Sequence, residues 1–198
     1  MARPNVEAER SAQILRAACK VIAGKGFRGL RIADVAQEAG LSSGIVHYYF
    51  TNKRDLSHAA FEQNVAHSFA RRTAILESED DAVTKLRALV DAYLPGDEET
   101  VESWHVWAEL WVEAIHEPDL QELNDRAYGE WRRLIAGIVR DGQAAGTIGD
   151  ADAVEVANLL VGVLDGLALQ VLAGSQNMSL ARMRTLCQSF IDRVVLPL

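Results

Sequence analysis

The chain has 198 residues, with 20 Lys and Arg against 28 Asp and Glu for a net charge of −8, 49% hydrophobic residues and 4 prolines. That is enough apolar chain for one large or two small packed domains, and it excludes disorder as a whole-chain state. Met1–Arg10 is polar where a secretory leader turns apolar, and the apolar stretch Leu159–Leu172, interrupted by Gly162, Asp165, Gly166 and Gln170, is expected to be too short to span a bilayer.

Helical periodicity runs through nearly the whole chain, and no alternating strand pattern stands out. Ile14, Leu15, Ala18, Val21 and Ile22 mark a first helix over about Glu7–Lys25, stopped at Gly26. A short second helix covers about Arg31–Ala39, with Gly40 as its stop. A third runs from Ser43 to Tyr49, with the Ser42 hydroxyl as its cap. Asn52 caps a long fourth helix reaching Glu77, with Asp55 three residues on. Further helices follow at Glu79–Leu94, at Glu98–His116 behind Asp97, at Asp119–Ala145 after Pro118, at a strongly apolar segment capped by Asp150 and ending near Ala173, and from Ser179 to about Val195. Nine helices joined by short turns predict an all-α chain. Cys19 and Cys187, far apart in apolar contexts, read as buried thiols of a reducing compartment, so the cytoplasm is the expected location.

The net charge conceals a division. Residues 1–60 carry +4 and the remainder −12, a basic head on an acidic body, as expected if only the head meets a polyanion. Inside that head, two short helices separated by Gly40-Leu41-Ser42 have the spacing of a helix-turn-helix. The second of them is expected to enter a major groove and to offer Ser43, Gly44, Val46, His47 and Tyr48 to base edges, with Ser42 and Tyr49 at its two ends. Arg28, Arg31 and Lys53 stand where they could hold phosphates, which position such a module without reading sequence.

Gly26-Phe27, the run Ile32–Phe50 and Asn52-Lys53-Arg54-Asp55-Leu56 closely resemble the TetR family of bacterial repressors, in order and without gaps over about residues 10–60. One departure is Arg31, which stands where that family usually has Thr or Ser, so the second helix is expected to lack a side-chain cap. The Trp107–Trp111 segment and the Asp165-Gly166-Leu167 helix look like a BetI-type regulatory domain. The resemblance implies a helix-turn-helix DNA-binding domain over residues 1–52 and a ligand-binding and dimerisation domain over residues 53–198. It also implies a homodimer on a palindromic operator, released by a small molecule, most simply as a repressor. An activator of the same fold is the alternative, and a helical protein-binding adaptor without DNA affinity is a more distant one.

The acidic body offers candidates for both implied features. Trp104, Trp107 and Trp111 recur at i, i+3 and i+7 with His105 beside them, and Phe69, Tyr128 and Trp131 add aromatic surface. Rings with a few polar groups suit either an apolar pocket or an ordinary core. A carboxylate beside such rings suits a cationic ligand. Leu160, Val163, Leu164 and Leu167 leave one helix apolar nearly all round, and Phe190 and Val194 extend the pattern on the last helix, as a four-helix dimer interface requires. No catalytic motif appears: the five histidines lack a zincin spacing, and there is no phosphate loop or nucleophile elbow. The expectation is a regulator with no catalytic residues, metal or cofactor.

Overall fold

A computed structural model describes residues 3–195, and among these residues the backbone forms ten α-helices and a closing π-helical turn, with no strand. In chain order they are α1 (Arg3–Gly29), α2 (Ile32–Glu38), α3 (Ser43–Tyr49), α4 (Lys53–Ala70), α5 (Thr73–Leu76), α6 (Ala82–Tyr93), α7 (Glu98–Ala114), α8 (Pro118–Ala144), α9 (Ala153–Leu172) and α10 (Leu180–Phe190), then the turn Ile191–Val195. The all-α architecture is as expected. The tenth helix arises because the long fourth helix breaks at Arg71-Arg72 into α4 and α5.

The helix ends follow local side-chain chemistry. Ser42 Oγ accepts the Ile45 amide at 3.3 Å, and Ser179 Oγ accepts the Arg182 amide at 3.2 Å. Asn52 and Asp55 bond reciprocally at 2.9 Å, amide to side chain and side chain to side chain. Asp97 Oδ1 accepts the Thr100 amide at 2.7 Å. Arg31 stands at the start of α2 without a side-chain cap. Two boundaries move inward of the sequence reading. Asp81 caps α6, and Asp152 rather than Asp150 caps α9 by accepting the Val154 and Glu155 amides at 2.9 and 2.8 Å.

The chain divides into two compact units. The first comprises the chain up to Ser68 with Glu102–Asn124, so it holds α1–α3, nearly all of α4 and most of α7. Its core is built from Ile14, Ile22, Leu30, Val35, Leu56, Phe61 and Leu110, each 2% exposed or less. Cys19 is buried here, its thiol donating to the Ala60 carbonyl at 3.3 Å, and burial pushes its pKa up to about 12. The second unit comprises Phe69–Val101 with Asp125–Leu198, and its core includes Leu86, Trp131, Ile135, Leu160, Met183, Cys187 and Ile191. Both cysteines are free.

The apolar run of α9 is longer than the stretch Leu159–Leu172, because Ala153, Val154, Val156 and Ala157 extend it toward the N-terminus. Its 20 residues, with a mean hydropathy of 1.6 over an 18-residue stretch, are long and apolar enough to cross a bilayer by length and composition alone. Its packing is that of a core helix with a second apolar side. Val156, Leu160, Leu164 and Ala168 are buried within its own unit, while Leu159 and Leu169 are 47% and 40% exposed. This corrects the interface expectation for Leu160 and Leu164, which fill the interior of the chain and offer nothing to a partner. Val163, Leu167 and Phe190 are half-buried, and the Val194 side chain lies outside the described residues.

Candidate functional site

In the first unit, α2 packs on α1 and α3. Gly40 takes φ +66, a left-handed conformation that ends α2 and lets the Leu41 amide reach back to the Ala36 carbonyl at 2.8 Å. The chain then turns into α3 behind the Ser42 cap. Ser42, Ser43, Gly44 and His47 are exposed, Tyr48 is 76% exposed, and Tyr49 is half-buried with its ring edge-on to Tyr48 at 5.2 Å. Val46 is 0% exposed and is the inward anchor of α3, so its expected place on the DNA-facing side is corrected. On a helix of 7 residues the outward position beside it is Ile45, 39% exposed, which sequence reading had passed over.

Arg28 and Arg31 are exposed. Lys53 is half-buried: its Nζ donates to the Arg28 carbonyl at 3.0 Å and lies 4.9 Å from the centroid of the Phe27 ring. It thereby ties the start of α4 to the end of α1. A second tie was not legible in the sequence. Gly26, at φ 72 and ψ 166, breaks α1, and the freed Phe27 amide donates to Glu109 Oε2 of α7 at 2.7 Å. Arg28 meets Glu113, one turn further along α7, at 3.7 Å. Residues of α7 thus hold the chain where α1 breaks and the Phe27 amide loses its helical partner.

The aromatic candidates fall into two groups. Trp104 and Trp107, 4% and 7% exposed, and half-buried Trp111 belong to the first unit, with Trp111 within 6.1 and 6.3 Å of the other two rings. His105, next to this stripe, is half-buried. Phe69, Tyr128 and Trp131 belong to the second unit, where Phe69 stacks on Trp131 at 4.5 Å and Tyr93 meets it edge-on at 5.8 Å. Tyr93 and two residues without an expected place in the site, Asp165 and Arg72, complete this second group. Asp165 of α9 accepts hydrogen bonds from the Tyr128 hydroxyl at 2.5 Å and the Tyr93 hydroxyl at 3.3 Å. Burial pushes its pKa up to about 6, against the opposing pull of the two phenols and of Arg132. The third is Arg72, 2% exposed, whose guanidinium carbon lies 4.8 Å from the Tyr93 centroid and 5.1 Å from that of Trp131. Beside the rings an apolar space of about 20 Å³, bounded by Leu86, Leu89, Tyr93, Trp131, Ile135 and Leu164, has room for little more than one water molecule.

The chain thus joins a basic helix-turn-helix to a helical unit with a largely half-buried aromatic–carboxylate box around Trp131. The sequence profile of bacterial regulatory proteins of the tetR family matches residues 14–60, and that of the C-terminal domain of BetI-type transcriptional repressors matches residues 82–196. The chain belongs to the TetR family.

Relatives match up to nearly the whole length of this TetR-family chain. The HTH-type transcriptional regulator BetI of Burkholderia mallei (strain NCTC 10229) is 29% identical over 189 residues, 95% of this chain and 94% of the relative. BetI of Stenotrophomonas maltophilia (strain R551-3) is 34% identical over 126 residues, covering 62% of this chain and 63% of the relative. A crystal structure of a transcriptional regulator from Saccharomonospora viridis in complex with choline has a TM-score of 0.91 at 35% identity and covers 96% of this chain and all of that one. A TetR-family regulator from Rhodococcus sp. follows with a TM-score of 0.83 at 30% identity, covering 96% of this chain and 100% of its own. The TetR-family protein is therefore a DNA-binding transcriptional regulator responsive to a small molecule, acts as a dimer on its operator, and is not an enzyme. That removes the adaptor alternative.

Proposed function

We propose that this regulator is a repressor whose effector is a quaternary ammonium compound of the choline class, recognised by the box of Phe69, Tyr93, Tyr128, Trp131 and Asp165. The observation that carries the reading is the half-buried Asp165 carboxylate held by two phenols next to stacked rings. A permanent cation cannot be neutralised on burial, so it needs ring faces and a countercharge, and this box has both. The relative solved with choline supports the same class. The Trp131 indole N–H, buried without an acceptor among the described residues, suits a ligand that also carries an oxygen.

Residues 1–52 act as the DNA-reading domain and residues 53–198 as the effector and dimer domain. Ser42, Ser43, Gly44, His47, Tyr48 and Tyr49 of the first face the bases, while its Arg28 and Arg31, with Lys53 at the start of the second, hold phosphates. The partner surface is the outer side of α9 and α10: Leu159, Val163, Leu167, Leu169, Leu186 and Phe190. Gly162 and Gly166 have open space where a side chain would stand, so a second backbone can come close there. The protein works in the cytoplasm, where its operator is. Trp104, His105, Trp107 and Trp111 are assigned an effector-sensitive role on α7. Trp107→Ala is expected to blunt the effector response while ligand-free DNA binding persists, and loss of the fold would make the stripe plain core.

The effector acts only if it binds one body conformation better than the DNA-bound one, and a coupling of about 1–3 kcal/mol suffices for a usable switch. Isothermal titration calorimetry tests the class. Choline should bind, and its uncharged isostere 3,3-dimethylbutanol should bind at least tenfold more weakly. Equal binding of the two would sink the cationic reading.

A further inference from the structure

The box already contains a cation. Arg72 lies in the turn that separates α4 from α5, yet its side chain is directed inward and is 2% exposed. Its guanidinium sits over two rings at once, Tyr93 at 4.8 Å and Trp131 at 5.1 Å, and its Nη2 donates to the Ala92 carbonyl at 3.1 Å. It remains a cation at neutral pH, although burial draws its pKa down to about 10. These are the same two rings that an incoming ammonium would use. The neighbouring space of about 20 Å³ is far too small to admit one as it stands.

We propose that Arg72 is the built-in occupant of this cation site, and that an external cation enters only by displacing its guanidinium from Tyr93 and Trp131. The identification of that external cation as a quaternary ammonium rests on the function proposed above. The side chain suits the part. It is long, it keeps its charge, and it stands in a turn between helices, where a change of rotamer disturbs no helical hydrogen bond. Occupancy of the site by Arg72 lowers the apparent affinity for any competitor by the fraction of time the rings are free. It thereby moves the response to higher effector concentration. Displacement acts on the Arg71-Arg72 turn, directly at the end of α4.

The test compares wild type with Arg72→Met, which keeps apolar length without charge, and Arg72→Ala, which leaves room for a free guanidinium. Calorimetry with choline chloride should show Arg72→Met binding at least tenfold tighter than wild type. Methylguanidinium should bind Arg72→Ala and not wild type, and should compete with choline there. Equal or weaker choline binding by folded Arg72→Met, together with no methylguanidinium binding to Arg72→Ala, overturns the inference. If neither choline nor tetramethylammonium binds any form while methylguanidinium does bind Arg72→Ala, the cation site stands and the choline-class effector falls. Should both variants fail to fold, phenylglyoxal labelling of wild type mapped by mass spectrometry decides. Arg72 should label several-fold faster with saturating choline, measured against exposed Arg31, and an unchanged rate overturns the inference.

Discussion

Glu109→Ala removes the acceptor that closes the break in α1. The Phe27 amide donates to Glu109 Oε2 at 2.7 Å, in a part-buried setting. A hydrogen bond to a charged group contributes about 1.5–3 kcal/mol, and partial exposure places this one near the lower end, at about 2 kcal/mol. For a chain of this size each kcal/mol moves Tm by roughly 2–4 °C, so the variant should melt about 4–8 °C below wild type. Glu109→Gln keeps a neutral acceptor of the same shape and should lose about half as much, since charge-assisted bonds are roughly twice as strong. Gly26→Ala approaches the junction from the other side. Its φ 72 and ψ 166 belong to a region essentially reserved for glycine, at a cost of about 1–3 kcal/mol for alanine. The added methyl would also press on Glu109 Oε2 from 3.2 Å. Because the two substitutions share a contact, the double variant should be less unstable than the sum of the single ones. The assay is thermal unfolding by circular dichroism at fixed protein concentration, because a dimer's Tm depends on it. A Glu109→Ala Tm within 1 °C of wild type, or strict additivity with Gly26→Ala, would refute the brace.

Tyr48→Ala should weaken operator binding without moving Tm, since the ring is 76% exposed; an unfolded variant would remove Tyr48 from the DNA face. Arg28→Ala should reduce the slope of log K against log salt by about one, as loss of one phosphate contact does, and an unchanged slope would take Arg28 off the backbone. Asp165 faces Tyr93 of α6 and Tyr128 and Arg132 of α8, and its pKa is raised to about 6. A raised carboxyl pKa favours the neutral form of the folded protein, so ionisation costs stability as pH rises through about 6. Binding of a cation, by contrast, strengthens over the same interval, and Asp165→Asn should flatten the rise in choline affinity between pH 5 and 7. A slope that survives the substitution would place the titrating group elsewhere. Leu159→Lys, at a position 47% exposed in the single chain, should give monomers by sedimentation velocity, and an intact dimer would move the interface off this side of α9.

What could be read from the sequence was what local chemistry decides. The Ser42, Asn52, Asp97 and Ser179 caps, the Gly40 stop and the helix-turn-helix spacing are each set by residues within a turn or two of one another. Facing was less legible. On α3, Val46 and Ile45 are adjacent apolar residues on a helix too short to define a phase, and only packing shows that Val46 is the one turned inward. On α9, apolar residues run all round, so Leu160 and Leu164 could not be told from Leu159 and Leu169 until one side was covered. The ties between distant segments were the least legible. Nothing in the Arg71-Arg72 pair signals that the second guanidinium lies over rings from α6 and α8, and nothing in the neighbourhood of Glu109 points to an amide 82 residues earlier.

The central claim is that a dimer of this chain holds DNA and lets go when a small cation binds. Fluorescence anisotropy on the duplex upstream of its own gene, with a scrambled duplex as control, tests that directly. The predicted result is tight binding to the upstream duplex with two chains per site, affinity falling steeply with salt, and release on addition of choline. Equal, weak binding to both duplexes that choline leaves unchanged would contradict the account.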